Sequence, residues 1–466
     1  MKKATVVYGA LSTPVQKKAL EELSRILLAY TDAYPTCVPC TEEIEKNDSL
    51  LIYIGTKENN PYVASHSTSA LSRAEEYHLR VEQNAVFIEG YDDVGVLYGV
   101  VDFYAKYLAQ SEYPQAKKYP KNPFAWDALP TFSLTSAPAV RERGLWTWGH
   151  VVYDYKGYFE HMMRLKMNKV VIWNDFAPVN AREIADCAHA CGIKLIWGFS
   201  WLWDTSCHKV ELKDLDEKSR SIFEKYEREY AHAGGDGIYF QTFTELKTEY
   251  IGDRLVAEAA ADFVNKTAAL FYERYPSLVI EFGLHATSVK DRLSFIAAVD
   301  PRVSVVWEDA GAFPFSYHPS DIDGFDETLA FAERVARLRG KDDHFGAVLK
   351  GFVELDWSSF EHQRGAGYQG VSTPMTRQAR FERKRRMWRF VQAYWLANAD
   401  KAQEMIRAMC RVKNGELSLL ALVEDGVFED NIMYPVALFA EMLWDTEKDI
   451  KTLMTELALR GDIVFA

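Results

Sequence analysis

Residues 141–200 read RERGLWTWGHVVYDYKGYFEHMMRLKMNKVVIWNDFAPVNAREIADCAHACGIKLIWGFS. Short β-branched and aromatic runs at Gly144–Trp148, Lys169–Asn174 and Lys194–Ser200 alternate with helical patterns at Tyr155–Lys166 and Ala181–Cys191. Parallel strands need a crossover of a dozen or more residues, and an intervening helix supplies it. The alternation continues through runs at Gly237–Thr242, Leu278–Leu284, Val303–Trp307 and Ala347–Glu354. Helical stretches at Leu215–His232, Asp253–Tyr275, Val289–Val299 and Phe325–Leu338 separate them. Strand spacings of about 25–45 residues predict an α/β protein built on a (β/α)8 TIM barrel. Tyr368–Ser372 is the nearest candidate for the eighth strand. A doubly wound open sheet is the alternative, but no Gly-rich phosphate loop follows the first strand.

Outward from this core, residues 1–125 read as a small N-terminal α/β domain. Leu20, Leu23, Ile26 and Leu27 share one face of a predicted helix, and Gln83-Asn84 sits between two short strands as a hairpin signal. Residues 112–130 carry four prolines and read as a linker. The catalytic barrel is expected over 131–375 and a C-terminal helical region over 376–466. Arg377, Arg380, Arg383, Lys384, Arg385, Arg386 and Arg389 form a basic run there, read either as a solvated helix face or as an anion or uronate site.

Composition narrows the function. The 466 residues are 48% hydrophobic and 26% charged, which excludes disorder and low complexity. The net charge of −13 argues against a nucleic-acid partner. No apolar run reaches the ~18 residues of a membrane span. The N-terminal MKKATVVYGALSTP reads as an opening strand and not as a signal peptide. Six cysteines, with Cys37 and Cys40 at redox spacing but no second pair, fit a reduced, cytoplasmic protein. Aromatics make up 14% of the chain, including 12 tryptophans, and this excess fits either a large core or sugar-stacking platforms.

Barrel enzymes place their chemistry at the C-terminal ends of the strands. Those ends carry Trp148 and His150, Asn174 and Asp175, Trp203, Glu245, His285, then Trp307, Glu308 and Asp309, and finally Glu354 and Asp356. Acids beside tryptophans at one barrel mouth suit glycoside hydrolysis, which needs two carboxylates and a surface for a pyranose ring. Glu245, Asp309 and Glu354 are the candidate catalytic acids. Strand alternation sends Glu308 and Asp309 to opposite sides, and Asp309 is favoured as the one facing the site. Arg143, Trp148, His150, Asn174, Asp175, Trp203, His285, Trp307, Glu308 and Asp356 are the candidate substrate-binding residues. No His spacing suits a metal, no GxSxG elbow is present, and no cofactor is expected.

The stretch Gly90-Tyr-Asp-Asp-Val-Gly95-Val-Leu-Tyr98-Gly99 resembles the motif closing the small α/β domain of family 20, 67 and 84 glycoside hydrolases. Arg141-Glu-Arg143-Gly144 is similar to the start of their first barrel strand, and Phe159–Asp175 to their first helix and second strand. The resemblance covers roughly residues 1–310 and implies an exo-acting glycosidase with a carbohydrate substrate. The α-glucuronidases of family 67 carry a lone glutamate after strand four with an Asp and a Glu on later strands, places that Glu245, Asp309 and Glu354 could fill. A substrate-assisted β-N-acetylhexosaminidase is an alternative, although Thr244-Glu245 replaces the adjacent Asp-Glu pair of family 20. A catalytically inactive, carbohydrate-binding barrel is a further one. The oligomeric state is open, a homodimer being one option.

Overall fold

The structure is a computed structural model. It describes residues 4–31, 34–44, 49–111, 130–148, 151–202, 210–286, 288–308, 324–352, 363, 365–413, 417–423 and 428–466. The N-terminal unit is a six-stranded mixed sheet of β1 (Ala4–Tyr8), β2 (Thr36–Pro39), β3 (Leu50–Gly55), β4 (Tyr77–Glu82), β5 (Ala85–Gly90) and β6 (Phe132–Ser136). The strand order is β2-β1-β3-β5-β4-β6, and β4 runs antiparallel to both its neighbours. Helices α1 (Pro14–Thr31) and α2 (Asp93–Asp102) cover one face. On the predicted face of α1, Leu23, Ile26 and Leu27 are fully buried and Leu20 is half-buried. Asp92 caps α2 by accepting from the Gly95 amide at 2.7 Å.

The second unit is a closed, all-parallel barrel. Its strands are β7 (Glu142–Trp148), β8 (Lys169–Trp173), β9 (Lys194–Gly198), β10 (Gly237–Gln241), β11 (Val279–Leu284), β12 (Val303–Trp307), β13 (Phe345–Leu349) and β14 (Leu417–Leu422). Helices α3 (Tyr155–Arg164), α4 (Ala181–Ala190), α5 (Leu215–Glu229), α6 (Val256–Arg274), α7 (Leu293–Ile296), α8 (Phe325–Ala336), α9 (Pro374–Lys413) and α10 (Tyr434–Trp444) surround it. The (β/α)8 class expected from the sequence is the one found. β14 closes the ring by pairing Leu420 with Gly144 of β7. Gly144 is required there, because a Cβ would collide with the Lys169 carbonyl of β8.

The eighth strand is therefore not Tyr368–Ser372, where Tyr368 and Val371 are exposed. It follows the 40-residue helix α9, so the barrel continues past residue 375 into the stretch read as a C-terminal helical region. The misreading has a physical source. Leu417–Leu422 (LSLLAL) is a short apolar run without alternation, buried at every position, and such a run reads equally well as buried helix.

Buried ion pairs join the two units. The Arg143 guanidinium donates to Glu75 at 2.5 Å and to the Lys166 and Val140 carbonyls. Lys166 pairs with Asp102 at 2.9 Å, and Lys166 and Lys106 share Glu441 of α10. The Trp444 ring lies under both Arg143 and Lys166. Glu22 of α1 accepts from Arg25 and, at 2.9 Å, from Arg164 of α3. Burial opposes its ionisation, but the two arginines outweigh burial and hold its pKa down to about 2.

A carboxylate depressed in the folded state adds stability above its unfolded pKa and loses it as pH falls through the folded value. Glu22 should thus contribute on the order of 3 kcal/mol at neutral pH, lost between about pH 4.5 and 2. Urea unfolding of Glu22→Gln should show that deficit at pH 7 and a much smaller one at pH 2.5, whereas an equal deficit at both would contradict this role.

Candidate active site

The barrel interior is filled by residues at alternate positions: Trp146 on β7, Val171 and Trp173 on β8, Ile196 on β9, Tyr239 on β10, Val306 on β12, Val348 on β13, and Leu420 and Leu422 on β14. The same alternation carries Trp148, Gln241, Glu308 and Lys350 onto the inner side at the C-terminal mouth. This end of a barrel is where loops can vary without disturbing closure.

Glu308 is the centre of the mouth. Its side chain is 1% exposed. One carboxylate oxygen accepts from the Tyr239 hydroxyl and the other from the Gln241 amide. His285 Nε2 lies 3.7 Å from the second oxygen. Burial and the neighbouring Glu308 charge push the Tyr239 phenol well above its ordinary pKa, so it stays a donor. The two donors fix the orientation of the carboxylate. Room for the pair comes from Gly283 on β11, where a Cβ would collide with both the Glu308 carboxylate and the Tyr239 hydroxyl.

Aromatic surface and a cation complete the mouth. Trp146 and Trp173 both meet Tyr239 edge-on, at ring-centroid distances of 5.9 and 6.4 Å. The buried Lys350 ammonium lies 5.5 Å from the Trp146 ring centroid. Met387 of α9 packs against the same inner cluster. The end of α9 is anchored far below, where Lys413 donates to the Gly340 carbonyl at 2.7 Å. The helix kinks at Asn398, and Met387, within the basic run, lies N-terminal to the kink beside this cluster. Arg380 of that run is buried against Glu429 at 3.2 Å, and Arg377 pairs with Asp430 at 2.7 Å. Arg385, Arg386 and Arg389 are exposed.

The candidates from the sequence divide into three groups. Trp148, His285 and Glu308 lie at the mouth, with the Glu308 side chain held inside the barrel. Glu245 follows β10 on a short 3₁₀ turn, Phe243–Glu245, with its side chain exposed. The preceding Thr244 is buried, its carbonyl accepting from the Ser288 hydroxyl at 2.6 Å. Asp175 is exposed just beyond β8. Asp309, Glu354, Asp356, His150 and Trp203 lie outside the described residues.

Three candidates have other work. Arg143 sits at the opposite, N-terminal end of the barrel in the domain contact, so it does not reach the mouth. Trp307 points out of the barrel, against Phe331 of α8 at 5.5 Å, because its neighbours Val306 and Glu308 point in. Asn174 follows the inward Trp173 just past the strand end and is buried. Its carbonyl accepts from the Tyr230 hydroxyl, and its buried side-chain amide nitrogen has no hydrogen-bond partner among the described residues. Tyr239, Gln241, Gly283 and Lys350 were not among the candidates. Alternation from Val306 and Val348 was the signal that would have selected Glu308 and Lys350.

No family model matches the chain, and no curated protein matches it in sequence. Solved structures do match. The chain has the fold of several glycoside hydrolases. It is similar to a GH138 enzyme targeting pectin rhamnogalacturonan II, with a TM-score of 0.53, 12% identity, and coverage of 96% of this chain and 64% of that one. It is similar to a family GH115 4-O-methyl-α-glucuronidase with specificity for decorated arabinogalactans, with a TM-score of 0.55, 14% identity, and coverage of 97% and 58%. A β-N-acetylhexosaminidase from Bacteroides fragilis matches at a TM-score of 0.55 and 13% identity, with coverage of 98% and 90%. The chain thus spans less than two thirds of the length of the first two. The small α/β domain followed by a barrel is the arrangement that the sequence resemblance implied.

Gly283→Ala should destabilise the protein by about 1–3 kcal/mol, since the added methyl must displace a buried carboxylate or phenol. Denaturant unfolding checks this, and a variant of unchanged stability would mean that the mouth is not packed around Glu308.

Proposed function

We propose that the chain is an exo-acting glycoside hydrolase that removes a terminal acidic sugar, in the manner of an α-glucuronidase. The observation that carries this reading is the buried, doubly hydrogen-bonded Glu308 carboxylate at the C-terminal mouth of the barrel. Glycoside hydrolysis needs one carboxylate kept ionised, as base or nucleophile, and one carboxylic acid that protonates the leaving oxygen. Glu308, with Tyr239 and Gln241 donating to it, suits the first role. Glu245, on the turn after β10, is the candidate for the second. Asp309 and Glu354 remain candidate partners as acids after the strands where α-glucuronidases carry theirs.

Two features favour an acidic sugar. Lys350 presents a buried ammonium at the mouth, where a uronate carboxylate would gain a charge-assisted hydrogen bond. The basic run of α9 adds positive charge beside the mouth of a chain whose net charge is −13. The partly buried Trp148 offers an aromatic surface to a pyranose ring. A β-N-acetylhexosaminidase is the second reading, favoured by the 90% of that enzyme's length the chain covers. A thiazoline mimic of the substrate-assisted intermediate should bind tightly under the second reading and weakly under the first.

The test is turnover of a panel of aryl glycosides that includes α-glucuronides and N-acetyl-β-glucosaminides. Cleavage of the uronides is expected, and Glu308→Gln should lower kcat by about 10²–10⁴ with a smaller change in KM. Full activity of a folded Glu308→Gln protein would overturn the assignment. Saccharide binding without turnover of any glycoside would instead support an inactive, carbohydrate-binding barrel.

A further inference from the structure

Helix α9 carries an outward stripe that the mouth does not use. Arg385 and Arg389 stand two residues before and after Met387, which packs on the barrel. At 3.6 residues per turn they fall on the far side of the helix from it. Arg383 and Lys384, one turn before Met387, share its side. The stripe continues through Ala393 and Leu396 to Asp400 and Glu404 at steps of three or four residues, and all six of its residues are exposed. The kink at Asn398 does not interrupt it, since Leu396, Ala397 and Asp400 are exposed on either side.

The stripe has a basic end, an apolar middle and an acidic end. Arg385, Arg389, Asp400 and Glu404 have no ion-pair or hydrogen-bond partner among the described residues. The two arginines are one turn apart, and so are the two acids, the spacing at which like charges repel on a helix. Phe390 and Leu396 flank the middle and are 45% and 41% exposed.

That order is self-complementary. With a second copy laid antiparallel about a two-fold axis through the middle, Arg385 meets the partner's Glu404 and Arg389 meets the partner's Asp400. Ala393 then meets the partner's Leu396, and every contact occurs twice. The small Ala393 and Ala397 leave room for the helix axes to approach to about 8–10 Å. A parallel pair would set arginines against arginines, so the charges also fix the direction.

We propose that the outer face of α9 is the contact surface of a homodimer, with the same helix of a second copy packed antiparallel on it. Both mouths stay open, because Met387 lies on the other side of the helix. The argument does not depend on what the mouth binds. A single helix pair buries less than the roughly 1,200 Å² of a standard interface, so the dimer is a weak one that forms in the micromolar range.

The test is sedimentation velocity of the full chain from about 1 to 300 µM, in about 0.15 M salt, where an ~8 Å screening length suppresses the repulsion between two acidic chains. The wild type should pass from monomer to dimer as concentration rises. Arg385→Glu with Arg389→Glu makes the stripe acidic throughout, and Asp400→Lys with Glu404→Lys makes it basic throughout. Each double variant should raise the dimer Kd at least tenfold. An equimolar mixture of the two should regain the dimer, because every cross-pair is then opposite in sign. All four positions are exposed and unpaired among the described residues, so both variants should melt with the wild type. A wild type that stays monomeric, a dimer of unchanged strength in both variants, or a mixture no stronger than either variant alone would overturn the proposal. So would a monomer that binds an oligogalacturonate through these arginines, which would give the face to an anionic glycan.

Discussion

A carboxylate sealed inside a barrel must be matched by donors on the strands around it, and Glu308 sets that constraint on the mouth. Leaving it unpaired would cost several kcal/mol, since a buried ion loses its water. The match draws on two neighbouring strands. Tyr239 and Gln241 come from successive inward positions of β10, and Gly283 of β11 leaves the space between. Only a closed, in-register barrel brings these together. The register that pairs Tyr239 with Glu281 and Gln241 with Gly283 is therefore a condition of the chemistry as well as of the fold.

The two ends of the barrel are both polar, for different reasons. At the N-terminal end, Lys169 gathers Glu142, Glu281 and Ser418 beneath the apolar layers. Arg143 and Lys166 nearby tie the barrel to the small domain. Damage to that lysine cluster or to those ties should be felt as instability. At the C-terminal end, Glu308, Lys350 and the tryptophans are surrounded by segments whose packing does not close the ring. Charges there cost stability without holding the domains together, which is the pattern of a site kept for function.

Much of this organisation was legible in the chain. Seven of eight barrel strands follow from alternating runs and spacing, because buried parallel strands read as short apolar stretches between helices. The eighth was lost because Leu417–Leu422 carries no alternation and sits between helices. The mouth was legible as a region and less so as individual residues. Acids and tryptophans at strand ends pointed to it, but direction depends on parity within each strand. Trp307 and Glu308 are neighbours in sequence and face opposite sides. Parity counted from the inward Val306 separates them. Tyr239 and Gly283 were illegible for another reason: a tyrosine and a glycine inside apolar strands look like core until the carboxylate they accommodate is placed beside them.

The central claim is that substrate meets the chain at Glu308. The most direct measurement is a crystal structure with a glycosidase inhibitor, such as a uronic-acid-type iminosugar, bound to the protein. The account predicts the sugar ring at the C-terminal mouth, with an atom within hydrogen-bond distance of the Glu308 carboxylate and its acidic group near Lys350. A ligand bound elsewhere on the chain, with the Tyr239–Glu308–Gln241 cluster untouched, would contradict it.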